Sequence, residues 1–280
     1  MAIYGFDAFA PAEIAERVQH VGVAKARMPL LKMLMLGVLA GAFIGLGALY
    51  YVLVVSDPTL GFAASRVLGG VVFSLGLLLV VVAGAELFTG NNLLVMAWAD
   101  GRIATHEVLR NWVVVCLANF VGAAGLALLV WLSHHPAMNG GRVAETVVRI
   151  AAAKCAAPAG QLFFNGILCN MLVCMAVWMA MAGRSVIDKA VAIVFPISAF
   201  VAAGFEHSIA NMYLIPLAML LKDAVAAPIP GIDRLDGWGL LHNLGAVIAG
   251  NLVGGALLVA LVYHIIYRRP PRNRASGGSG

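Results

Sequence analysis

Three ionisable side chains interrupt long apolar stretches of the chain: Glu86, Glu206 and His207. Such groups are costly at the depth of a lipid bilayer, so they face the interior of a helix bundle or a water-filled path. Imidazole is the side chain whose charge changes nearest physiological pH, which makes His207 a candidate hydrogen-bond donor to an anion. The alternative is a buried imidazole that is satisfied within the protein.

The two glutamates lie in matching patterns. Residues 83–91 and 203–211 both read A-G-x-E-x-x-x-x-N, 120 positions apart, and the first has Leu87 where the second has His207. Equivalent positions in two repeats are more typical of a structural role than of a chemical one. We therefore expect Glu86 and Glu206 to accept hydrogen bonds from backbone N–H groups. We expect the same backbone role of the asparagines that end the two patterns.

Three further polar residues are candidates for a substrate path. The Thr89 hydroxyl either caps a following helix or donates to a passing anion. Lys154 either extends its ammonium group towards water beside an apolar surface or attracts anions at an entrance. Asn170 lies in a later apolar stretch, where it contacts a helix break or the path.

Large apolar side chains flank these polar residues. They either pack against lipid and helices or narrow a path, and apolar constrictions obstruct hydrated ions by dewetting. The candidates for constriction are Phe73, Leu77, Leu87, Phe88 and Phe200.

A second repeated pattern extends the match between the halves. Residues 111–122 and 243–254 both read N-x7-N-[FL]-V-G, 132 positions apart, and Gly37 aligns with Gly166. Three spans in each half place the halves in opposite orientation across a membrane. A polar, glycine-containing stretch inside a long apolar run predicts a broken helix. Gly37, Gly41 and Gly45 form a ridge of small residues that predicts close helix packing.

Composition identifies the elements that must position these residues. Of 280 residues, 62% are hydrophobic and 11% are charged, which excludes a soluble enzyme, a disordered chain and a nucleic-acid-binding module. The prediction is an all-α membrane protein of six transmembrane helices, arranged as a 3+3 inverted repeat with helices 2 and 5 broken. The predicted spans are 33–55, 67–98, 112–132, 162–181, 190–221 and 244–267. The cysteines have no metal-ligand spacing, so we expect no metal and no cofactor.

Basic residues predict the orientation. With six spans, twelve of the 18 basic residues lie on the side of both termini, which the positive-inside rule assigns to the cytoplasm. Residues 1–28 form a cytoplasmic segment whose amphipathic helix, 11–26, has Ile14, Val18 and Val21 on one side. Residues 29–269 form the channel domain, and 270–280 a cytoplasmic tail that ends in a linker-like sequence.

Taken together, these motifs resemble the formate/nitrite transporter family. The resemblance rests on residues 83–91, 165–174, 204–212 and 250–255, and it extends from about residue 10 to 269. It implies an aquaporin-like protomer in a homopentamer of the bacterial inner membrane, which passes nitrite, formate and similar monovalent anions without ATP.

The resemblance also assigns positions in this sequence. His207 matches the family's central pore histidine, Thr89 the threonine of a mobile loop, and Lys154 the vestibule lysine. Asn170 and Glu206 match structural or pore-facing polar positions. The outer constriction corresponds to Phe73 and Phe200, and the inner one to Leu77, Leu87 and Phe88.

Thr89-Gly-Asn91, residues 153–158 and Phe163-Phe164 favour the nitrite branch of that family. A channel for hydrosulfide or another small neutral solute is the alternative. A membrane-embedded enzyme that uses Glu206 and His207 is disfavoured, because no nucleophile, metal-ligand or phosphate-binding motif accompanies them. In the transport hypothesis, His207 or bulk water transiently protonates the anion, since a bare charge is costly in a dry slit.

Overall fold

The computed structural model describes residues 7–267, and within this range six helices are long and apolar enough to cross a membrane. They cover Leu30–Val55, Phe62–Gly84, Thr105–Leu132, Ala159–Ala182, Val186–Ala203 and Gly237–Tyr267. The six predicted spans are therefore present, and each begins three to seven residues before its predicted start. In the third span a polar first turn explains the difference, since a helix can continue beyond its apolar part and Glu107 accepts the N–H of Ala104 there. The predicted cytoplasmic tail, its basic residues and its linker-like end lie outside the described residues.

The described α-helices are numbered in chain order. They are α1 Pro11–Ala26, α2 Leu30–Val55, α3 Phe62–Phe73, α4 Leu75–Leu78, α5 Val95–Ala99, α6 Thr105–Leu132, α7 Arg142–Ala156, α8 Ala159–Ala182, α9 Val186–Ala203, α10 Ser208–Leu221, α11 Gly237–Leu252 and α12 Val262–Tyr267. A π-helical stretch, Leu79–Gly84, continues α4, and another, Val253–Leu261, joins α11 to α12. A 3-10 turn, Gly90–Leu94, precedes α5.

An amphipathic helix begins each half of the chain. The helix predicted at 11–26 is present as α1, which buries Ile14 and Val18. The second half begins in the same way with α7, and each of these helices carries a lysine in its last turn, Lys25 in α1 and Lys154 in α7. α1 and α7 lie at opposite ends of α6, since α1 precedes α2 beside the start of α6 and α7 follows its end. This placement is what an inverted repeat requires.

Small residues allow the helices of each half to pack closely. The glycine ridge predicted on α2 contacts α6, where a Cβ on Gly41 would lie 2.0 Å from the carbonyl oxygen of Asn119. In the second half, a Cβ on Gly254 would lie 2.2 Å from the carbonyl oxygen of Ile167 in α8. Backbone carbonyls at these distances leave no room for a side chain, so the close approach depends on glycine.

Both predicted helix breaks are present, and each begins at a glycine. The φ angles are +86° at Gly84 and +80° at Gly204, a conformation that L side chains rarely adopt. After the first break the chain forms only the 3-10 turn and the five-residue α5. After the second break it forms the 14-residue α10. The two breaks are therefore equivalent in position, but the helical segments after them differ in length and type.

The outer surface of the bundle is strongly apolar. Ile187, Phe195 and Leu117 have exposed fractions of 74%, 69% and 62%. A surface of this kind suits contact with lipid or with neighbouring copies rather than with water.

Candidate functional site

Two cavities enter the bundle, one beside α1 and one beside α7. The α1 cavity has a volume of about 350 Å³, and its lining includes Lys25, Leu77 and Leu87. The α7 cavity has a volume of about 300 Å³, and it is lined by the predicted site residues Phe73, Lys154, Phe200, Glu206 and His207. Within the part of the chain that the structure describes, no residue lines both cavities. The two cavities are therefore separate, and each lies beside one of the two breaks.

A lysine–glutamate pair stands at the α1 cavity. Lys25 Nζ donates to Glu86 Oε1 at 2.8 Å and to Asn91 Oδ1 at 2.9 Å. Asn91 Nδ2 in turn donates to Glu86 Oε2 at 2.8 Å and to Asn111 Oδ1 at 2.9 Å. Glu86 is only 4% exposed, so both of its carboxylate oxygens are satisfied by protein.

The α7 cavity holds the same arrangement. Lys154 Nζ donates to Glu206 Oε1 at 2.8 Å, Asn211 Nδ2 donates to Glu206 Oε2 at 2.6 Å, and a second Asn211 bond reaches Asn243 Oδ1 at 2.7 Å. One contact is missing, because Asn211 Oδ1 is buried without a hydrogen-bond partner among the described residues. The Lys154 side chain is only 17% exposed, so it pairs with a carboxylate and does not snorkel, and the snorkelling alternative is wrong.

The expected backbone role of the two glutamates is also wrong, because another pair of asparagines fills it. Asn119 Oδ1 accepts the N–H of Phe88 at 2.9 Å, and Asn251 Oδ1 accepts the N–H of Ser208 at 3.1 Å. Their Nδ2 groups donate to the carbonyls of Glu86 and Glu206 at 2.9 and 3.0 Å. Both asparagines are fully buried. An amide carries a donor and an acceptor, so it can satisfy both sides of a break, which a carboxylate cannot.

Thr89 and His207 meet between the two cavities. Their Oγ1 and Nε2 atoms lie 3.0 Å apart, and the residues are 0% and 3% exposed. His207 Nδ1 accepts the N–H of Ala210 at 3.2 Å, which caps α10. Because Nδ1 is used as an acceptor, the ring proton of the neutral imidazole belongs on Nε2, which then donates to Thr89. Thr89 therefore does not cap the following 3-10 turn, so the capping alternative is wrong.

Asn170 lines neither cavity. It is fully buried, and its Nδ2 donates to the carbonyl of Asn251 at 2.7 Å and to Asn92 Oδ1 at 2.9 Å, with a longer contact of 3.3 Å to the carbonyl of Thr89. Its Oδ1 is buried without a partner among the described residues. Asn170 thus ties the chain after the first break to Asn251, the residue whose side chain supports the second break.

Four of the five apolar side chains predicted to narrow a path line one of the two cavities. The Phe73 and Phe200 rings meet edge to face at 5.7 Å, and the Phe200 ring lies 5.8 Å from the imidazole of His207. Leu77 and Leu87 line the bottom of the α1 cavity, and both are 2% exposed. The fifth predicted constriction residue, Phe88, is buried and lines neither cavity.

Two features of the site were missed in the sequence, although spacing could have revealed them. Lys25 precedes Gly37 by twelve residues, as Lys154 precedes Gly166, so the repeat predicts a second lysine–glutamate pair. Asn119 and Asn251 begin the repeated N-[FL]-V-G pattern, whose polar member within an apolar helix predicts a buried partner. Among residues 7–267, no cluster of histidine, cysteine or acidic side chains could hold a metal ion.

Comparisons with known proteins identify the family of the chain. The family model described as formate/nitrite transporter matches residues 12–265. The "Formate channel FocA" of Escherichia coli (strain K12) is 39% identical over 274 residues, which cover 94% of this chain and 96% of that protein.

Solved structures agree as well. One described as "Pentameric formate channel with formate bound" has a TM-score of 0.79 and 34% identity, over 86% of this chain and 98% of that chain. Another, described as "FNT family ion channel", has a TM-score of 0.79 and 31% identity, over 92% of this chain and 99% of that chain. The predicted fold class, an all-helical six-span protomer with two broken helices, is confirmed.

The named relatives bear on substrate as well as fold. The E. coli relative is a formate channel, so the nitrite preference predicted from the sequence stays a prediction. With the family model matching almost the whole chain and the fold shared at this level, this multi-pass membrane protein belongs to the formate/nitrite transporter family, which comprises channels and transporters of small anions and not enzymes.

Proposed function

We propose that the chain is a pore for formate and for other small monovalent anions of weak acids, working without ATP. The observation that carries the proposal is the pairing of two lysine–glutamate sites, one in each cavity, on either side of a single Thr89–His207 hydrogen bond. Each cavity can concentrate an anion, while the buried centre between them offers neutral hydrogen-bonding groups.

Formate is the first substrate candidate, since the E. coli relative at 39% identity is named a formate channel and a similar solved structure holds formate. Nitrite is the second, because it carries the same single charge on a bent three-atom frame and because Thr89-Gly-Asn91 favours the nitrite branch. Hydrosulfide remains the alternative for a pore whose rings exclude hydrated ions.

The proposed path begins in the α7 cavity. Lys154 attracts the anion, which sheds water as it passes the edge-to-face rings of Phe73 and Phe200. Beyond this constriction the anion meets Thr89 and His207. Glu206 acts mainly by positioning Lys154, since both of its oxygens are already hydrogen-bonded.

On the other side, Leu77 and Leu87 form the second apolar constriction, which opens into the α1 cavity at Lys25, while Phe88 is buried next to Leu87 in the chain. Asn170 keeps the backbone of Thr89 and Asn251 in place at the centre. It therefore contributes to the path by positioning and not by direct contact.

The proton that neutralises the anion comes from water in a cavity. His207 Nδ1 accepts the N–H of Ala210, so a second ring proton at Nδ1 would point at another donor and remove the cap of α10. This geometry favours a neutral ring whose Nε2–H and whose Thr89 partner donate hydrogen bonds to the passing species. Movement of an anion with a proton makes flux depend on pH.

The proposed assembly is a homopentamer in the bacterial inner membrane, with each protomer carrying its own pore. A similar solved structure is described as pentameric, and exposed apolar side chains such as Phe195 suit contact with copies or lipid. The excess of basic residues on the α1 side favours a cytoplasmic position for α1 and for both termini.

Flux into liposomes tests the proposal. Purified protein is reconstituted, and uptake of formate, nitrite and hydrosulfide is compared at equal concentration over a range of pH. We expect formate and nitrite to enter faster at lower pH and far faster than into protein-free vesicles.

The variant that tests the centre of the pore is His207→Phe, which places a larger apolar ring between Phe200 and Thr89. We expect this variant to assemble but to carry formate at least tenfold more slowly. Wild-type protein that carries only hydrosulfide, or a His207→Phe variant with unchanged formate flux and pH dependence, contradicts the proposal.

A further inference from the structure

The two cavities differ in charge. Among residues 7–267, the α1 cavity is lined by four cationic side chains, Arg17, Lys25, Lys32 and Lys189, and by one carboxylate, Glu86, so these residues give it a formal charge of +3. The α7 cavity is lined by two cationic side chains and one carboxylate, so its formal charge is +1. A monovalent permeant needs no such excess on one side.

The excess charge of the α1 cavity lies on side chains without acidic partners. Lys25 is compensated by Glu86, and the Arg17 guanidinium lies over the Phe9 ring at 3.9 Å. Among the described residues, neither Lys32 nor Lys189 forms an ion pair. These two lysines come from different helices, Lys32 from α2 and Lys189 from α9.

The cavity is also larger than the proposed permeant requires. A volume of about 350 Å³ accommodates roughly ten waters at about 30 Å³ each, so a tetrahedral oxyanion fits with part of its hydration shell. The lining of the cavity also includes the buried apolar side chains of Leu77 and Leu87. The cost of desolvating an ion rises with the square of its charge, so a divalent anion can enter this cavity but cannot pass beyond it.

We propose that the α1 cavity is an inhibitory binding site for small divalent oxyanions, held by Lys32 and Lys189, and that an occupied site blocks the permeant from this side. The site regulates the pore of the proposed function and so rests on it. Its occupant is a soluble anion and not a lipid headgroup, because the cavity reaches down to Leu87 in the interior of the bundle.

Formate currents in planar bilayers of neutral lipid test the inference, with sulfate as the probe because it stays divalent near neutral pH. After a single channel has inserted into the bilayer, sulfate is added to one chamber at a time. Sodium chloride of equal ionic strength, added in the same way, is the control. We expect block from one chamber only. In the double variant Lys32→Gln/Lys189→Gln, we expect the half-blocking concentration of sulfate to rise about fivefold for each lysine removed. This is the factor that Coulomb's law gives for a divalent anion and one ammonium group at ~8 Å in a water-like dielectric.

The matched control is Arg66→Gln, which removes a charge from the α7 cavity and leaves the half-blocking concentration unchanged. Each variant is normalised to its own unblocked current and checked for intact assembly by gel filtration. Equal block from both chambers, or a double variant with wild-type block, overturns the inference. Absence of block in neutral lipid does the same, since the lysines then serve lipid headgroups.

Binding of radiolabelled sulfate to purified protein in neutral detergent separates this inference from the proposed function. Lysine-dependent binding in a protein that carries no formate current supports the divalent-anion site and contradicts the proposed pore. Formate current with neither sulfate binding nor block supports the pore and contradicts the site.

Discussion

The breaks at 85–89 and 205–207 contain the same polar network but differ at their centres. In each, a lysine from an amphipathic helix pairs with a glutamate, and asparagines satisfy the carboxylate and the interrupted backbone. At the positions equivalent to Leu87 and Phe88, the second half has His207 and Ser208. Only the second break supplies a side chain that caps the following helix and also contacts the opposite break at Thr89.

This difference distinguishes the residues that hold the structure together from the residue that gives the site its distinctive chemical group. The repeated residues have partners within their own half, so they hold each half-helix in place against the cost of exposing its backbone. The unrepeated His207 has its partner in the other half. A pore that lies between two related halves therefore takes its distinctive group from the position at which the halves differ.

Removal of a backbone-satisfying asparagine has the largest expected effect. Asn119→Leu and Asn251→Leu each eliminate three buried hydrogen bonds to backbone groups. Each buried group left unpaired costs about 1–3 kcal/mol. We therefore expect the free energy of unfolding to fall by at least ~3 kcal/mol, and little folded protein to be obtained. Yield of monodisperse protein and thermal melting in detergent measure this, with Gln161→Leu on the exposed side of α8 as the control. If one asparagine tolerates leucine and the other does not, the two networks are not equivalent.

Breaking the two ion pairs has the next largest effect. Lys25→Met and Lys154→Met each leave a buried carboxylate without its cation, which costs about 3 kcal/mol, the lower end for buried pairs because both lysines are partly exposed. Lys25 also donates to Asn91, so its loss costs about 1 kcal/mol more. Denaturant unfolding in detergent measures both. Addition of Glu86→Gln or Glu206→Gln recovers part of the loss, and a double variant no more stable than the single one contradicts the pairing.

Changing His207 tests the difference between the breaks directly. His207→Leu makes the second break resemble the first and removes the cap of α10, at a cost of about 1 kcal/mol. His207→Asn retains a capping side chain without the ring. We expect melting near wild type for asparagine but not for leucine, and at least tenfold slower formate flux for both. Wild-type flux in His207→Asn would mean that His207 acts only as a cap.

The smallest effect is expected at Thr89. Thr89→Val keeps the side-chain shape and removes the hydroxyl that faces His207 Nε2. The loss of one hydrogen bond of about 1 kcal/mol predicts roughly fivefold slower formate flux with unchanged assembly. Thr89→Ser retains the hydroxyl and is the control. Equal flux in the valine and serine variants argues that the permeant does not use this group.

Much of the fold was predictable because its causes are local. Apolar length indicates the six spans, and the paired A-G-x-E-x-x-x-x-N patterns indicate two breaks at equivalent positions. The first residue of α6 was not predictable from hydropathy, since its first turn, Thr105-His-Glu, is polar. The equivalence of α7 with α1 was also missed, because two amphipathic helices can share the spacing of their apolar residues without sharing residue identities.

The candidate site was predictable as a set of residues but not as a set of contacts. Residue types marked Glu86, Glu206 and His207 as exceptional, because charges and imidazoles are costly in lipid. Their partners come from elements 52 to 118 positions away in the chain: Lys25 for Glu86, Lys154 for Glu206 and Thr89 for His207. The sequence does not show which of the distant polar side chains contacts His207, because that contact joins the two halves of the chain and has no repeated counterpart.

By itself, the sequence determined that this is a six-span membrane protein of two inverted halves, with a polar break in each and one histidine without a counterpart. The tertiary structure decided which side chains pair with each other, and that the described lining of the α1 cavity carries two more positive charges than that of the α7 cavity. The physical reason is that hydropathy and repeats act along the chain, whereas hydrogen bonds and cavity charge arise only where packed helices bring distant residues together.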